Sequence, residues 1–358
     1  MKKTDVIVEQ AINESKKKKE KIEKSRLSTG STLRDVVLGG EKNVYGIQTG
    51  IVWNSIGDSS AGKTFEACEL IAINKNLYKD KFKWNYDNAE LGNNIDTKKL
   101  YGFDIIVPDS LCSRTVEELA LNIKKFLLSL NKDEIGCYVV DSLDALTSKE
   151  VDDRIKEREK AQEKGKDFDA GSYLMGKQKY LAQEFFPEIK PLIEKSNCLL
   201  IIISQEKEKI GITFGSKSTR AGGKALLFFS HFESWLAETE KLKVTKNGET
   251  RIIGIRNKIK FTKSRNARPF REHYHTIFFD YGISDIDSNV DYLFNLLTAS
   301  GRDSTNFNVE YKDQVFKKKK DLIKFIEDNN LENEIKQAVI QKWEDIEDSI
   351  KIERKAKF

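Results

Sequence analysis

A glycine-rich segment at residues 57–64 constrains the fold of this chain more than any other feature. It follows an apolar, strand-like run at residues 50–56 and precedes a helix-like run at residues 65–77. Its residues are Gly57, Asp58, Ser59, Ser60, Ala61, Gly62, Lys63 and Thr64. In such a loop successive backbone N–H groups point at phosphates, the lysine reaches the terminal phosphates, and the threonine hydroxyl ligates Mg²⁺. The segment therefore predicts a nucleotide-binding site.

Length and composition set outer limits. A chain of 358 residues can hold more than one domain, since single cores stop growing near roughly 250–300 residues. No apolar stretch approaches the ~18 residues of a membrane span and no signal peptide is evident, so we expect a soluble, cytoplasmic protein. The net charge of +5 is compatible with a nucleic-acid partner but does not require one.

The cysteines and histidines suggest no metal or disulfide chemistry. The cysteines lack C-x-x-C spacing, and we interpret them as small buried hydrophobes in a reducing compartment. They are Cys68, Cys112, Cys137 and Cys198. His273 and His275 alternate on one face of a predicted strand, and with no third ligand suggested nearby we interpret both as ordinary strand residues.

Composition divides the chain into three parts. Residues 1–32 form a polar, helix-prone arm that is a possible assembly segment. In residues 33–283 apolar strand-like runs alternate with helical patterns, which is typical of a mostly parallel sheet covered by helices. Residues 284–358 have helical spacing and a basic tail, and we assign them to a small C-terminal domain.

One strand end carries a second candidate metal ligand. Thr115 and Glu118 form a capping-box pair at the start of a predicted helix, which leads into the apolar strand at residues 137–140. That strand ends in Asp141. A carboxylate at the carboxyl edge of a parallel sheet, beside a phosphate loop, can complete the Mg²⁺ shell together with Thr64.

A further apolar strand, residues 198–203, delivers Gln205 to the same edge, within reach of a γ-phosphate or its attacking water. After it, residues 209–224 are rich in glycine, hydroxyls and cations, which suit a phosphodiester backbone. Composition alone equally allows an active-site lid. The charged stretch at residues 149–179 is predicted to be a mobile surface loop or hairpin.

Four segments of the chain resemble the RecA-type recombinases. They lie at residues 27–31 with 38–40, 139–146, 209–226 and 266–270. The phosphate loop is shared by many NTPases, whereas the segment at residues 209–226 is specific to this family. The resemblance extends from residue 27 to about residue 349 and implies an α/β fold: a RecA-like P-loop ATPase core whose mostly parallel sheet is flanked by helices.

The resemblance also implies catalytic roles. Glu90 matches the carboxylate that activates water, and Gln205 matches the residue that reports the γ-phosphate to a DNA loop. Lys63, with the metal ligands Thr64 and Asp141, matches the family's nucleotide contacts. Lys263 and Arg265 match two cations that reach the ATP of a neighbouring subunit.

Two segments match DNA-binding loops. The candidate DNA-binding residues are Met175, Gly176, Lys207, Lys209, Ile210, Lys217, Arg220, Gly222, Gly223 and Lys224. The chain departs from the family pattern in its N-terminal anchor, the extra charge in its first DNA loop, its basic tail and its adenine-stacking aromatic, for which Tyr101 is the nearest residue. These departures suit a divergent member, such as one from a virus or mobile element.

We therefore predict a DNA-dependent ATPase that uses ATP and Mg²⁺, binds single-stranded and double-stranded DNA, and assembles as a filament or ring. It would promote homologous pairing and strand exchange. Two alternatives stay open. A hexameric RecA-fold motor, such as a helicase, would share the phosphate loop and Asp141 but not residues 209–226. A regulatory ATP-binding protein would assemble on DNA without exchanging strands.

Overall fold

A large mixed sheet organises the computed structural model, which describes residues 23–91, 95–106, 112–163, 175–208, 218–220, 223–304 and 307–354. The strands are β1 (Arg26–Leu27), β2 (Ile47–Gln48), β3 (Ile51–Gly57), β4 (Phe82–Asn88), β5 (Ile135–Asp141), β6 (Cys198–Glu208), β7 (Ser218–Arg220), β8 (Phe232–Lys246), β9 (Glu249–Ser264), β10 (Glu272–Phe278), β11 (Gly282–Ser284), β12 (Val309–Tyr311) and β13 (Gln314–Phe316).

Helices connect and cover these strands. They are α1 (Thr32–Gly39), α2 (Lys63–Tyr78), α3 (Thr97–Tyr101), α4 (Val116–Ser129), α5 (Lys149–Glu163), α6 (Met175–Tyr180), α7 (Phe186–Lys195), α8 (Gly223–Phe229), α9 (Asp285–Leu293), α10 (Lys319–Asp328) and α11 (Glu332–Ser349). A 3-10 turn at Lys79–Lys81 follows α2, and a π-helical segment at Leu181–Phe185 joins α6 to α7.

The parallel part of the sheet aligns the predicted site residues at one edge. β4, β5, β6, β3 and β8 are neighbours in that order and run parallel, while β9, β10 and β11 continue the sheet in antiparallel fashion. Gly57 lies beside Gln205, and Asn88 lies beside Asp141. The carboxyl ends of these strands therefore meet where ligands bind in such sheets. The predicted α/β fold, with a large mostly parallel sheet flanked by helices, is confirmed.

Apolar side chains fill both faces of the sheet. Trp53 packs into one cluster with Leu70 of α2, and Val52, its neighbour on β3, packs into the other with Leu119 of α4. Because successive side chains of a strand point to opposite faces, a central strand covered on both sides is apolar along its length. This explains the buried, mostly apolar run that precedes the phosphate loop, in which Asn54 and Ser55 are buried polar residues.

The capping box predicted ahead of α4 is confirmed. The Thr115 hydroxyl accepts a hydrogen bond from the Glu118 N–H at 3.2 Å, and the Glu118 carboxylate accepts one from the Thr115 N–H at 3.4 Å. These bonds satisfy two backbone donors that the helix leaves unpaired. The helix then buries Leu119 and Ile123 against the sheet.

The prediction of a loop or hairpin at residues 149–179 is wrong for the described residues, which form α5 and α6. In α5 the ion pairs Arg154–Glu150 and Lys156–Asp152 join residues four apart. Such pairs, and the high helix propensity of Glu, Lys and Arg, stabilise a helix that has no apolar face. Residues 164–174 lie outside the described residues.

The two ends of the described chain pack on the core. Residues 1–22 of the predicted arm lie outside the described residues, but β1 pairs with β2 and Leu27 is fully buried, so the described end of the arm is extended. The predicted C-terminal helices form, with their own apolar cluster including Leu322 and Ile335. The buried Glu344 accepts hydrogen bonds from the Asn43 N–H and the Tyr45 hydroxyl.

Within the described residues, no helix is both long and apolar enough to cross a membrane. The three-part division of the chain stays a prediction.

Candidate active site

The phosphate loop is held in place by contacts with the antiparallel part of the sheet. The Asn257 side-chain amide donates a hydrogen bond to the Ala61 carbonyl at 2.7 Å. Gly62, at the start of α2, has a φ of +80°, and a Cβ there would collide with the Ile277 side chain. Glycine is therefore favoured at this position by its dihedral angle, and any larger residue would also displace the Ile277 side chain. The predicted order of strand, loop and helix is confirmed.

The loop lysine is buried and lies among carboxylates. Lys63 is 8% exposed, and its ammonium donates hydrogen bonds to the carbonyls of Gly57 at 2.8 Å and Asp58 at 2.6 Å. Burial lowers the pKa of Lys63, and the charges of Asp141 and Glu90 oppose that shift. A cation in such surroundings is well placed to pair with phosphate oxygens.

Two predicted metal ligands lie side by side. The Thr64 hydroxyl donates a hydrogen bond to the Asp141 carboxylate at 2.8 Å, and the Tyr86 hydroxyl donates to the same oxygen at 2.5 Å. Burial raises the pKa of Asp141, while the hydrogen bonds from Tyr86 and Thr64 lower it. A hydroxyl and a carboxylate are hard oxygen donors of the kind that Mg²⁺ takes, so the residues present fit this ion.

Glu90 is fixed by two hydrogen bonds. Its carboxylate oxygen Oε1 accepts from the Ser142 hydroxyl at 2.5 Å and from the Gln205 side-chain amide at 2.9 Å. Its own N–H donates to the Asp141 carbonyl at 3.1 Å. The structure thus brings residues from four sequence segments to one cavity of about 470 Å³. The lining residues that were predicted as site residues from the sequence are Ser59, Ser60, Gly62, Lys63, Thr64, Glu90, Asp141 and Gln205.

The other lining residues of this cavity were not predicted. Two are charged, Glu238 and Lys241, and five are apolar, Phe65, Ile95, Ile252, Ile255 and Phe279. Ile252 and Ile255 belong to a long hairpin of β8 and β9, which continues past Leu236, where the pairing of β8 with β3 ends. Tyr101 packs beside Glu69 and Gly282 and is not among the lining residues. The apolar side chains among them offer a surface for a nucleotide base.

Lys263 and Arg265 are not brought to this cavity. They lie near the end of β9, where Ser264 pairs with Phe232 at the start of β8, which places them at the opposite edge of the sheet. The Lys263 ammonium donates to the carbonyls at the end of α8, and Arg265 donates to the carbonyl of Phe228 at 2.8 Å. Burial and then the charge of Arg265 lower the pKa of Lys263 to about 8.

Two of the candidate DNA-binding residues, Lys207 and Arg220, differ in their exposure to solvent. Lys207 is 55% exposed, and its ammonium lies 2.9 Å from the Asp144 carboxylate. Arg220 instead forms a buried ion pair with Glu233 at 2.6 Å, which differs from the exposed setting expected of a DNA contact.

The other DNA-loop candidates mark helix starts or lie outside the described residues. Met175 and Gly176 begin α6, while Gly223 and Lys224 begin α8. Gly223 has a φ of +56°. The candidates outside the described residues are Lys209, Ile210, Lys217 and Gly222.

Comparisons with known proteins agree with this site. The family profile of the RecA N-terminal domain matches residues 7–284. Protein RecA of Clostridioides difficile is 30% identical over 268 residues, which are 74% of this chain and 68% of that protein. Protein RecA of Ehrlichia chaffeensis is 31% identical over 270 residues, or 74% and 66% of the two chains, and that of Aquifex aeolicus is 30% identical over 291 residues, or 79% and 74%.

The matched part thus spans about two thirds of the length of the first two relatives. A crystal structure of the RadB recombinase superposes with a TM-score of 0.46 at 17% identity, covering 72% of this chain and 99% of that one. The family assignment rests on the profile, whose matched range includes the phosphate loop and the strands around it, and on the identity to the RecA relatives. The chain therefore belongs to the RecA family, the recombinases that hydrolyse ATP on DNA.

Proposed function

We propose that this protein is a DNA-dependent ATPase that assembles on single-stranded DNA with ATP and Mg²⁺ and promotes homologous pairing and strand exchange. The observation that carries the proposal is the 2.9 Å hydrogen bond from Gln205 to Glu90. Glu90 lines the cavity of the phosphate loop, and Gln205 lies on the strand that leads into residues 209–217. One hydrogen bond thus joins the candidate chemistry to the stem of the candidate DNA loop.

The cavity has the groups that γ-phosphoryl transfer to water requires. The reaction needs a positioned water, and cations to balance the charge of the transition state. The Glu90 carboxylate, held by Ser142 and Gln205, would orient the water and accept its proton, and Lys63 would contact the phosphates. When bound by Thr64 and Asp141, Mg²⁺ would neutralise phosphate charge.

A second subunit would complete the site. Lys263 and Arg265 lie at the edge of the sheet opposite to the cavity, so they cannot act on the nucleotide of their own subunit. Beside them Phe228 is 67% exposed and Leu227 is 43% exposed, an apolar patch suited to burial between proteins. A head-to-tail interface would place this face on the next cavity and would produce a filament or ring.

Holding DNA by its backbone suits strand exchange. A protein that contacts phosphates and leaves the base edges open has no need to read sequence, so homology can be tested by base pairing itself. The exposed Lys207 at the stem of the second loop is a described cation in position for such a contact.

ATP hydrolysis by the purified 358-residue chain, with and without single-stranded DNA across a salt series, tests the proposal. We expect DNA to stimulate hydrolysis, and the stimulation to fade as salt rises, because phosphate contacts release counterions. Lys63→Ala should abolish hydrolysis. A rate of hydrolysis that is the same with and without DNA at every salt concentration would contradict the proposal. It would favour a motor whose ATP hydrolysis is not coupled to DNA binding.

Glu90→Gln tests the catalytic assignment. We expect turnover to fall by about 10²–10⁴-fold, the range for loss of a general base, while nucleotide and DNA binding persist. Glu310→Gln, an exposed substitution of the same kind, serves as the control. Preserved hydrolysis in Glu90→Gln would remove Glu90 from the mechanism.

A joint-molecule assay tests the strand-exchange part. We expect ATP-dependent joint molecules between homologous single-stranded and duplex DNA. ATP-dependent DNA binding without joint molecules would instead indicate the regulatory alternative.

A further inference from the structure

Asp144 lies three residues after Asp141, in the turn that follows β5, and it holds the end of β6 at two points. One carboxylate oxygen accepts a hydrogen bond from the Gln205 backbone N–H at 2.9 Å, and the other lies 2.9 Å from the Lys207 ammonium. The Asp144 side chain is 12% exposed, whereas that of Lys207 is 55% exposed. A single carboxylate therefore fixes both the residue that contacts Glu90 and the nearby exposed cation.

The segment of the first candidate DNA loop reaches the same turn. The Lys177 ammonium, on α6, donates hydrogen bonds to the carbonyls of Leu143 at 2.7 Å and of Leu146. The Asp144 carbonyl lies 3.4 Å from the same nitrogen. The turn at residues 143–146 is thus bound on one side by the stem of the first candidate loop and on the other by that of the second.

The two contacts of the Asp144 carboxylate differ in strength. The ion pair with Lys207 is largely exposed, and such pairs are weak and easily screened. A DNA phosphate can replace the carboxylate as the partner of Lys207. The contact with the Gln205 N–H is a charge-assisted hydrogen bond in a partly buried place, which is the stronger kind. When Lys207 pairs with a DNA phosphate instead, the Asp144 carboxylate keeps only its hydrogen bond with the Gln205 N–H.

We propose that Asp144 is a positioning residue that couples DNA binding to the orientation of Gln205 at Glu90, with Lys207 exchanging Asp144 for a DNA phosphate. This inference rests on the proposed function, because it requires DNA at the second loop. Asp144 is not among the described lining residues of the nucleotide cavity. Its removal should therefore change the coupling between the two ligands more than the affinity for either alone.

The test compares Asp144→Ala and Asp144→Asn with the exposed control Asp133→Ala, all in the 358-residue chain. Anisotropy of a labelled oligothymidylate measures DNA affinity with and without a non-hydrolysable ATP analogue and Mg²⁺. We expect Asp144→Ala to reduce the nucleotide-induced gain in DNA affinity by about tenfold. The affinity for DNA without nucleotide and for the analogue without DNA should each change by less than about threefold.

Two further variants separate the contacts of Asp144. Asp144→Asn keeps an acceptor for the Gln205 N–H but lacks the charge that pairs with Lys207, so it should recover part of the coupling. Lys207→Gln should lower the slope of log affinity against log salt by about one phosphate contact. These variants also provide the test if Asp144→Ala fails to fold, as judged by circular dichroism.

Coupling in the Asp144 variants equal to that of Asp133→Ala would overturn the inference, as would a parallel loss of both separate affinities. A wild-type protein whose DNA affinity does not respond to nucleotide would overturn the proposed function itself. The two failures are distinguished by the wild-type measurement alone.

Discussion

At the scale of single residues, the first turn of α2 carries a buried ion pair directly after the phosphate loop. Arg34 is fully buried and pairs with Glu66, which is 2% exposed. The Arg34 guanidinium also donates to His275 Nδ1 at 3.0 Å, and the Ser55 hydroxyl donates to the second Glu66 oxygen at 3.1 Å. Removing one partner would leave an uncompensated charge in the core.

We expect Glu66→Leu to lower the free energy of unfolding by about 3–5 kcal/mol, the range for breaking a buried pair. Because apolar residues often replace a whole buried pair at little cost, the double variant Arg34→Leu/Glu66→Leu should regain most of the loss. Urea unfolding measures both. The exposed pair of Lys312 and Glu334 provides the control, where Glu334→Leu should have little effect. The single variant Arg34→Leu completes the comparison. A loss of unfolding free energy in the double variant equal to the sum of the two single losses would contradict the prediction.

Another carboxyl of α2 should make stability depend on pH. Burial raises the pKa of Glu69 from its usual 4.5 to about 7. The folded state then holds this proton more tightly than the unfolded chain does. The contribution of Glu69 to the free energy of unfolding is therefore fully present below about pH 4.5 and is lost as the pH rises through 7.

The expected effect is measured as the difference in unfolding free energy between wild type and Glu69→Gln. The unfolding free energy of the wild type should fall by about 3 kcal/mol relative to that of Glu69→Gln between pH 4.5 and pH 8. Glu310→Gln should show no such shift. Parallel stability curves for wild type and Glu69→Gln would rule out a raised pKa for Glu69.

At the scale of elements, α4 depends on its capping box. We expect Thr115→Ala to lower the free energy of unfolding by about 1 kcal/mol, because the Glu118 N–H loses its acceptor. Glu118→Gln should have little effect, since glutamine also serves at this position of the box. Thermal or urea unfolding measures both. Equal losses of unfolding free energy in the two variants would show that the loss does not come from the hydrogen bond of the cap.

The elements that could be predicted are those with local signals. The capping box, the phosphate loop between a strand and a helix, and the acidic end of β5 each follow from adjacent residues. The charged helix α5 lacks the apolar stripe by which a helix is usually identified, and its four-residue charge spacing was the signal that could have indicated it.

Contacts between distant segments could not be predicted from local patterns. Asn257 holds the phosphate loop from nearly two hundred residues away, and Phe279, which follows the antiparallel strand β10, also lines the nucleotide cavity. Glu90 and Gln205 were predicted as site residues, but their direct hydrogen bond depends on the order of the strands in the sheet. Strand order is a property of the whole fold.

At the scale of the whole molecule, the nucleotide cavity and the pair Lys263 and Arg265 lie at opposite edges of one sheet. If the pair acts on the neighbouring subunit, each active site is divided between two chains. Hydrolysis then depends on assembly, and two subunits with different defects can complement each other. A site contained in one chain has no such property.

Mixing two inactive variants tests this division. Lys63→Ala has a defective loop but an intact cation pair, whereas Lys263→Ala/Arg265→Ala has the reverse. In an equal mixture about a quarter of the head-to-tail interfaces join an intact loop to an intact pair, so we expect hydrolysis to return to about that fraction. Mixing Lys63→Ala with Glu90→Gln should restore nothing, because each cavity still lacks one of its own groups. If the cation-pair variant is active alone, or no mixture recovers activity, the pair does not act between subunits.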